Sequence, residues 1–537
     1  WAKCSRPYEY AFSRARWITA EDVENLRARH LAWWKRFWSI SEISLDDPVI
    51  EQRYYLSKYM LASLSRDPDY PPNILGISTF DRPAWNGNYK INYNHQSPYL
   101  NLMVSGHFEQ SDPHDAPYLK LMEISDEMCK RLLHHEGLYY PLGLGPDGVV
   151  SEALLLHMKS PALHGALNMI YRYEISQDTK YAWKVYPYLR GVADFWEKDL
   201  VLRDGVYHVV GDGMHERTDG NIRENGVPED PVNTLGYLKT FFIWLPKISE
   251  ALELDEEKRV KWQKIAQNLA PYPKGTIREI QDNPTLWKEA DVKLEDLLPQ
   301  EMLDKEIYYD EGVGGKWSFH FPGNIMHIYP GNAVGLGSDP KELEVARNTV
   351  HIHSLVENKL GELEYKKALE RAADEKKETA AKHAHFYKAG AFNASNLSCL
   401  FFTAAVRTGY DPDIIWKEMK DMITYRGIPN GFLKENPHGI EQLNTIPDAI
   451  QEMMLQSYEG VIRIFPVWPR KKHPNASFRN FRAWGGFEVS ASLKDGKIEQ
   501  VTVLSHKGNT CRVENPWPEK SVIVKYGYSG REEVCFG

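Results

Sequence analysis

Two asparagines two positions apart, Asn92 and Asn94, stand in the run Trp85-Asn-Gly-Asn-Tyr-Lys-Ile-Asn-Tyr-Asn-His95-Gln96. Alternate side chains of an extended chain point the same way, so a strand here puts Asn92, Asn94 and Gln96 on one face. Amides are uncommon in strands, and each carries both donors and an acceptor. Together they describe a polar floor beneath a ligand or an ordered water. The same alternation also describes a polar edge strand facing solvent, and local composition leaves both readings open.

The elements that must position this run are helical. Apolar residues recur at helical spacing from about residue 20 to 460, in a dozen segments that include 48–66, 151–174, 233–253, 340–357, 359–386 and 446–458. Long loops rich in Gly, Pro and Asn join them, among them 68–114, 204–232, 272–335 and 425–445. Ordered loops of that length are usually functional. A toroid of paired helices, an (α/α)6 barrel, accommodates this pattern better than a four-helix bundle with short connections. An α-solenoid is the runner-up, but no fixed repeat period is present. Near residue 461 the pattern turns to short alternating runs such as Val461-Ile-Arg-Ile-Phe and Ile498-Glu-Gln-Val-Thr-Val-Leu, broken by turn signals such as Lys494-Asp-Gly. The expected organisation is a mainly α chain: an (α/α)6 barrel over 1–460, then a small antiparallel, β-sandwich-like domain over 461–537 that buttresses it.

Composition narrows the classes of function. The net charge of −9 is spread without long single-sign blocks, which disfavours nucleic acid and anionic membrane as partners. No apolar run is long enough to span a bilayer. The 16 Trp and 30 Tyr supply flat faces of the kind on which sugars stack, although most aromatic residues fill cores. Five cysteines show no metal-binding or redox spacing, and Cys511 and Cys535 are a candidate pair. The numbering opens on Trp1, so a longer precursor with a signal peptide, and a secreted or periplasmic location, is the expectation. Nothing in the sequence fixes the oligomeric state.

Several blocks carry a family resemblance: Tyr54 to Arg66, Pro71-Pro-Asn-Ile-Leu-Gly, and Trp85 to Gln96. Further on stand Tyr171-Arg-Tyr-Glu-Ile-Ser-Gln-Asp, Tyr186-Pro-Tyr-Leu-Arg-Gly, Glu452-Met-Met-Leu-Gln-Ser and Arg482-Ala-Trp-Gly-Gly-Phe. In this order they resemble glycoside hydrolase family 95, which holds α-L-fucosidases and α-L-galactosidases. The resemblance implies an (α/α)6 catalytic barrel, a following β domain and inversion of anomeric configuration, with no cofactor or metal required. It places the water-holding pair of the family on Asn92 and Asn94.

An inverting glycosidase needs one carboxylic acid to protonate the departing oxygen and one basic group to activate water on the other face of the sugar. The family's acid falls in the loop Gly211-Asp-Gly-Met-His-Glu216, which makes Glu216 the candidate, with Asp219, Glu224 and Asp230 behind it. Here Met-His replaces the family's Ser-Pro. The family's basic Asp corresponds to Glu441 by gapless counting from Glu452, with Asp448 as competitor, although Asp448 also reads as an early-turn acid of the next helix. Glu441 would act with Asn92 and Asn94 as one basic unit. Trp85, His95, Gln96, Asp230, His320 and His327 are the candidate sugar contacts. Asp230 also reads as a loop brace, and the two later histidines also read as packed or surface residues. The residues after Asn94 depart from the family pattern, and the family's His-His-Asn-x-Asp block is absent near Leu138-Tyr-Tyr-Pro, so fucose specificity does not carry over.

The expected function is exo-acting, inverting hydrolysis of a terminal α-L-linked fucose, galactose or related sugar. The alternatives are a hydrolase or phosphorylase of other specificity on the same barrel, or a non-catalytic sugar-binding relative.

Overall fold

The computed structural model describes residues 6–74, 87–148, 150–152, 157–213, 227–280, 294–311, 323–375, 395–433, 439–518, 520–527 and 531–535. The chain is mainly helical, with a C-terminal β-rich part. The principal helices are α1 (Pro7–Ala15), α2 (Ala20–Ser39), α3 (Pro48–Leu64), α4 (Ser97–Val104), α5 (Asp112–Lys120), α6 (Met122–Leu132) and α7 (Pro161–Ser176). They continue with α8 (Thr179–Asp199), α9 (Val232–Ala251), α10 (Glu256–Gln267), α11 (Pro340–Glu375), α12 (Ser395–Arg407), α13 (Pro412–Arg426) and α14 (Gln442–Met454).

Proline sets where several helices begin. Pro48, Pro98, Pro161 and Pro412 each occupy the first or second helical position of α3, α4, α7 and α13. There the missing N–H has no intrahelical partner to lose, and the fixed φ already suits a helix. Asp47 and Asp411 add side-chain caps, accepting from the amides of Val49 at 3.1 Å and Asp413 at 2.8 Å. The helices then bury apolar faces. On α7, Leu163, Ala166, Leu167 and Ile170 are fully buried and share one core with Leu235, Leu238, Phe241 and Leu245 of α9. Each large side chain so buried contributes about 1.5–3 kcal/mol.

The inner contacts close on themselves. Helix α4 packs on α7, α7 on α9, α9 on the 3-10 turn Gly323–Ile325, that turn on α12, α12 on α14, and α14 back on α4. Outside this circuit α8 packs on α7 and α9, α10 on α9, α11 on α12, and α3 on α13 and α14. The first turns of α12 and α14 meet, where the Ser398 and Thr445 hydroxyls lie 3.3 Å apart. Helix starts in the circuit therefore share one end of the molecule, together with the segments that lead into them.

Three expectations change. The segment read as two helices, 340–357 and 359–386, forms one helix of 36 residues as far as Glu375. The C-terminal sheet runs β1-β2-β3-β4, all antiparallel, where β1 is Glu42–Leu45, β2 Ala476–Ala483, β3 Phe487–Lys494 and β4 Lys497–Ser505. It thus borrows an edge strand from the N-terminal side of residue 461, one too short to show alternation. A two-stranded ribbon, Val522–Lys525 with Glu532–Cys535, follows. Finally, Cys511 is a free, exposed thiol and not half of a disulfide. Among the described residues, no helix is long and apolar enough to cross a membrane.

Candidate functional site

The run that holds the two asparagines is not a strand. Residues 91–96 are consecutive turns that lead directly into α4. The Ser97 amide donates to the Tyr93 carbonyl at 2.8 Å, and the His95 amide to the Lys90 carbonyl at 3.1 Å. In coiled backbone, side chains two apart diverge instead of sharing a face. Asn92 is 2% exposed, whereas Asn94 is half-buried. The turn is held from within by Gln96, whose amide nitrogen donates to the Ile91 carbonyl at 2.5 Å and the Tyr118 hydroxyl at 2.9 Å. The Gln96 amide nitrogen is therefore spent on the turn and on Tyr118.

Asn92 lies in a narrow recess at the end shared by the helix starts. Ser160 and His164 of the α7 start, Asn233 and Tyr237 of the α9 start, and Met326 after the Gly323–Ile325 turn line it with Asn92. His164 Nδ1 meets the Asn92 carbonyl oxygen at 2.9 Å, which ties the turn before α4 to α7. Beside the recess, Asp212 is fully buried. One of its oxygens accepts from the Lys159 and Ser160 amides at 2.5 and 3.3 Å, the other from the Thr234 hydroxyl at 2.6 Å. One carboxylate thus fastens the starts of α7 and α9 together. Burial pushes its pKa up to about 6, against the pull of Thr234 and the Lys159 amide.

Glu441 stands immediately before α14 and is 1% exposed. Burial first and the Glu441 carboxylate second hold the Cys399 thiol above its ordinary pKa. Asp448 is not an early-turn acid. Helix α14 begins at Gln442, four residues earlier than the sequence pattern implies, and this leaves Asp448 mid-helix and buried, accepting from the Thr403 hydroxyl at 2.9 Å.

The remaining candidates separate. Glu216, Asp219, Glu224, Trp85 and His320 lie outside the described residues. His95 packs in the core at 3% exposure, its Nε2 bonded to the His114 carbonyl at 3.0 Å and its ring stacked on that of His114. Burial pushes its pKa down to about 3, so the ring is neutral. His327 is fully buried against the rings of Tyr308 and Tyr272. A Cβ at Gly236 would lie 2.3 Å from its own, so only glycine lets α9 pass this close. Asp230 braces a loop base: it accepts from the Val209 amide at 2.9 Å and from His208 Nδ1 at 2.7 Å. His208, Glu229 and Asp230 place potential metal ligand atoms within 4.8 Å of one another, yet Arg203 already neutralises Glu229 at 2.6 Å. His164, Asn233, Tyr237 and Asp212 were not singled out from sequence. The signal of the first three was faint, polar residues in the first two turns of otherwise apolar helices, and Asp212 lies in a loop, outside any helix.

The catalytic-domain signature of glycosyl hydrolase family 95 matches residues 5–306, and the family's C-terminal domain matches residues 456–531. This chain belongs to glycoside hydrolase family 95. The first match contains Asn92, Asn94, Asp212 and Glu216 of this family 95 member, whereas Glu441 falls between the two matched stretches. Among solved structures, the chain is similar to a putative kojibiose phosphorylase from human microbiome, with TM-score 0.54 and 12% identity over 99% of this chain and 71% of that one. A family GH78 rhamnosidase of Bacillus sp. GL1 aligns with TM-score 0.44 and 10% identity over 88% of this chain and 42% of that one. No curated protein matches the sequence closely enough to serve as a relative. The similarity to the phosphorylase concerns the fold alone.

Proposed function

We propose that this family 95 protein is an exo-acting, inverting glycosidase that removes a terminal α-L-linked sugar, fucose, galactose or a close relative, from an oligo- or polysaccharide. The closed circuit of inner helices supports reading the catalytic unit, 1–460, as an (α/α)6 barrel, with 461–537 as its β buttress. The observation that carries the functional reading is the meeting of two separate stretches at one end of that circuit: the Asn92 turn entering α4, and Glu441 entering α14, two helices that pack together and are joined by the bonds from Asn101 to Asn444.

In the proposed chemistry Glu441 takes a proton from water while Asn92 and Asn94 hold that water in line, and Glu216 protonates the leaving oxygen. Inversion requires the acid and the base to stand about 6.5–9.5 Å apart, with room for the water between. The burial of Glu441 keeps bulk water from competing with the one that reacts.

The test is turnover of a panel of 4-nitrophenyl α-L-glycosides and natural oligosaccharides, run with and without inorganic phosphate. Release of free sugar without phosphate supports hydrolysis. Strict dependence on phosphate, with a sugar phosphate as product, would replace it with a phosphorylase reading. Sugar binding without turnover would leave the non-catalytic reading.

A further inference from the structure

Lys58 of α3 is 2% exposed. A lysine is rarely buried so completely unless a carboxylate pairs with it, yet the short bonds of this ammonium run to neutral oxygens of α4 and its cap, Asn101 Oδ1 at 2.9 Å and Ser105 Oγ at 2.7 Å. Burial pushes its pKa down to about 7, with the charge of Asp448 pulling the other way. A methionine would fill the same space without desolvating a charge, so what the ammonium adds is the direction of its bonds.

An ammonium can only donate, so it holds the Asn101 amide with its oxygen toward Lys58 and its nitrogen toward Asn444 Oδ1, 2.9 Å away. The Asn101 backbone N–H also can only donate, and it meets the same Asn444 oxygen at 3.0 Å. That fixes the Asn444 amide in turn, with its nitrogen on the Tyr329 hydroxyl at 2.8 Å. The Asn444 backbone amide then donates to the Glu441 carbonyl at 3.2 Å. A line of bonds with one polarity thus leads from a buried charge to the backbone of Glu441. The other branch from Lys58 leads away from it: Ser105 Oγ lies 2.9 Å from His107 Nδ1, and His107 Nε2 lies 3.1 Å from the Phe37 carbonyl in the last turn of α2. We infer that Lys58 is a positioning residue for Glu441, acting through Asn101 and Asn444, and that its Ser105 branch serves stability alone. The inference rests on reading the chain as a glycosidase with Glu441 as its base.

Three single variants and one double variant test it on the best 4-nitrophenyl α-L-glycoside. Lys58→Met keeps the length of the side chain and donates nothing. Asn101→Asp keeps an oxygen for Lys58 but has no side-chain N–H for Asn444. Ser105→Ala cuts the other branch. Lys58→Met and Asn101→Asp should each lower kcat about tenfold or more and leave KM within about twofold of wild type, because the sugar contacts stay and only the base is misplaced. Ser105→Ala should keep wild-type kcat even if urea unfolding shows it to be as destabilised as Lys58→Met. Lys58→Met combined with Asn444→Leu should lose little more kcat than the more damaged of the two single variants, since both cut one line. Wild-type kcat in Lys58→Met, or an equal loss in Ser105→Ala, would overturn the inference while leaving the glycosidase reading intact. If Lys58→Met does not fold, Asn101→Asp decides by the same criteria. If the wild type cleaves nothing, the glycosidase reading fails, and amide hydrogen exchange judges the link separately. Faster exchange at the start of α14 in Lys58→Met than in Ser105→Ala supports it; equal exchange overturns it.

Discussion

Asn101 presents two N–H groups to a single oxygen of Asn444, its backbone amide at 3.0 Å and its side-chain amide at 2.9 Å. The other end of the Asn444 amide donates to the Tyr329 hydroxyl at 2.8 Å. Asn101 belongs to α4, which the Asn92 turn enters, and Asn444 lies one turn beyond Glu441. The bonds therefore hold the proposed base in register with the proposed water-holding residues.

Replacing Asn444 by Leu strands the Asn101 backbone amide and removes a partner from the Tyr329 hydroxyl, at about 1–3 kcal/mol each, while the Asn101 side chain keeps its bond to the Pro98 carbonyl at 2.9 Å. The variant should lose about 3 kcal/mol in denaturant unfolding. Because Glu441 is then free to shift, kcat should fall about tenfold or more while KM changes little. Wild-type kcat in a destabilised Asn444→Leu would show that the bonds serve stability alone.

Asp212 gives a pH signature. Its carboxyl rises from an ordinary 3.8 to about 6 in the folded protein because of burial. The sign follows: a group raised on folding supports stability fully below its unfolded pKa and loses that support as pH climbs through its folded one. Asp212→Asn keeps an acceptor for the Lys159 and Ser160 amides and can donate to Thr234. The unfolding free energy of Asp212→Asn relative to wild type should grow by about 2 kcal/mol from about pH 4 to about pH 7. A difference independent of pH would contradict the buried, unfavourably charged carboxylate.

Glu174 offers a second titration at the seam between helices and sheet. Its carbonyl accepts from the Gly485 amide at 2.7 Å, close to where Trp484 packs on Tyr171 and Trp244. Burial pushes its pKa up to about 7, with Lys247 pulling the other way. Stability tied to this group should fade as pH rises through 7, and Glu174→Gln should be the more stable protein at about pH 8, by about 1–2 kcal/mol in thermal or urea unfolding. A less stable Glu174→Gln at that pH would mean that the Lys247 contact outweighs desolvation.

The proposed acid and base should fail differently. Glu216→Gln should retain far more activity on 4-nitrophenyl glycosides, whose leaving group needs little protonation, than on natural oligosaccharides. Glu441→Gln should lose about a thousandfold on both. Equal losses in the two variants on both substrate types would remove the division of roles.

The sequence made some of this structure legible and hid other parts for physical reasons. Pro48, with Asp47 before it, marked a helix start because both act locally, whereas the run read as a helix over 151–174 begins only at Pro161. The β-rich tail was readable from its alternation and Lys494-Asp-Gly turn, whereas β1 was not, because four residues cannot display a period. The Asn92 run alternated like a strand but folds as turns, since Gln96 bonds back to Ile91 and Pro98 opens a helix just beyond. His164 and Tyr237 sit within apolar helical runs that give no sign of a shared recess. They meet only because the circuit of helices brings the start of α7 beside that of α9.

The most direct measurement follows the first-formed product of wild-type turnover by proton NMR, on the best α-L-glycoside of the panel and before mutarotation sets in. Single displacement by the water held at Asn92 and Asn94 predicts that the β-L hemiacetal appears first and the α anomer grows in later. If the α anomer appears first, configuration is retained, and the roles given to Glu441 and the asparagines are wrong.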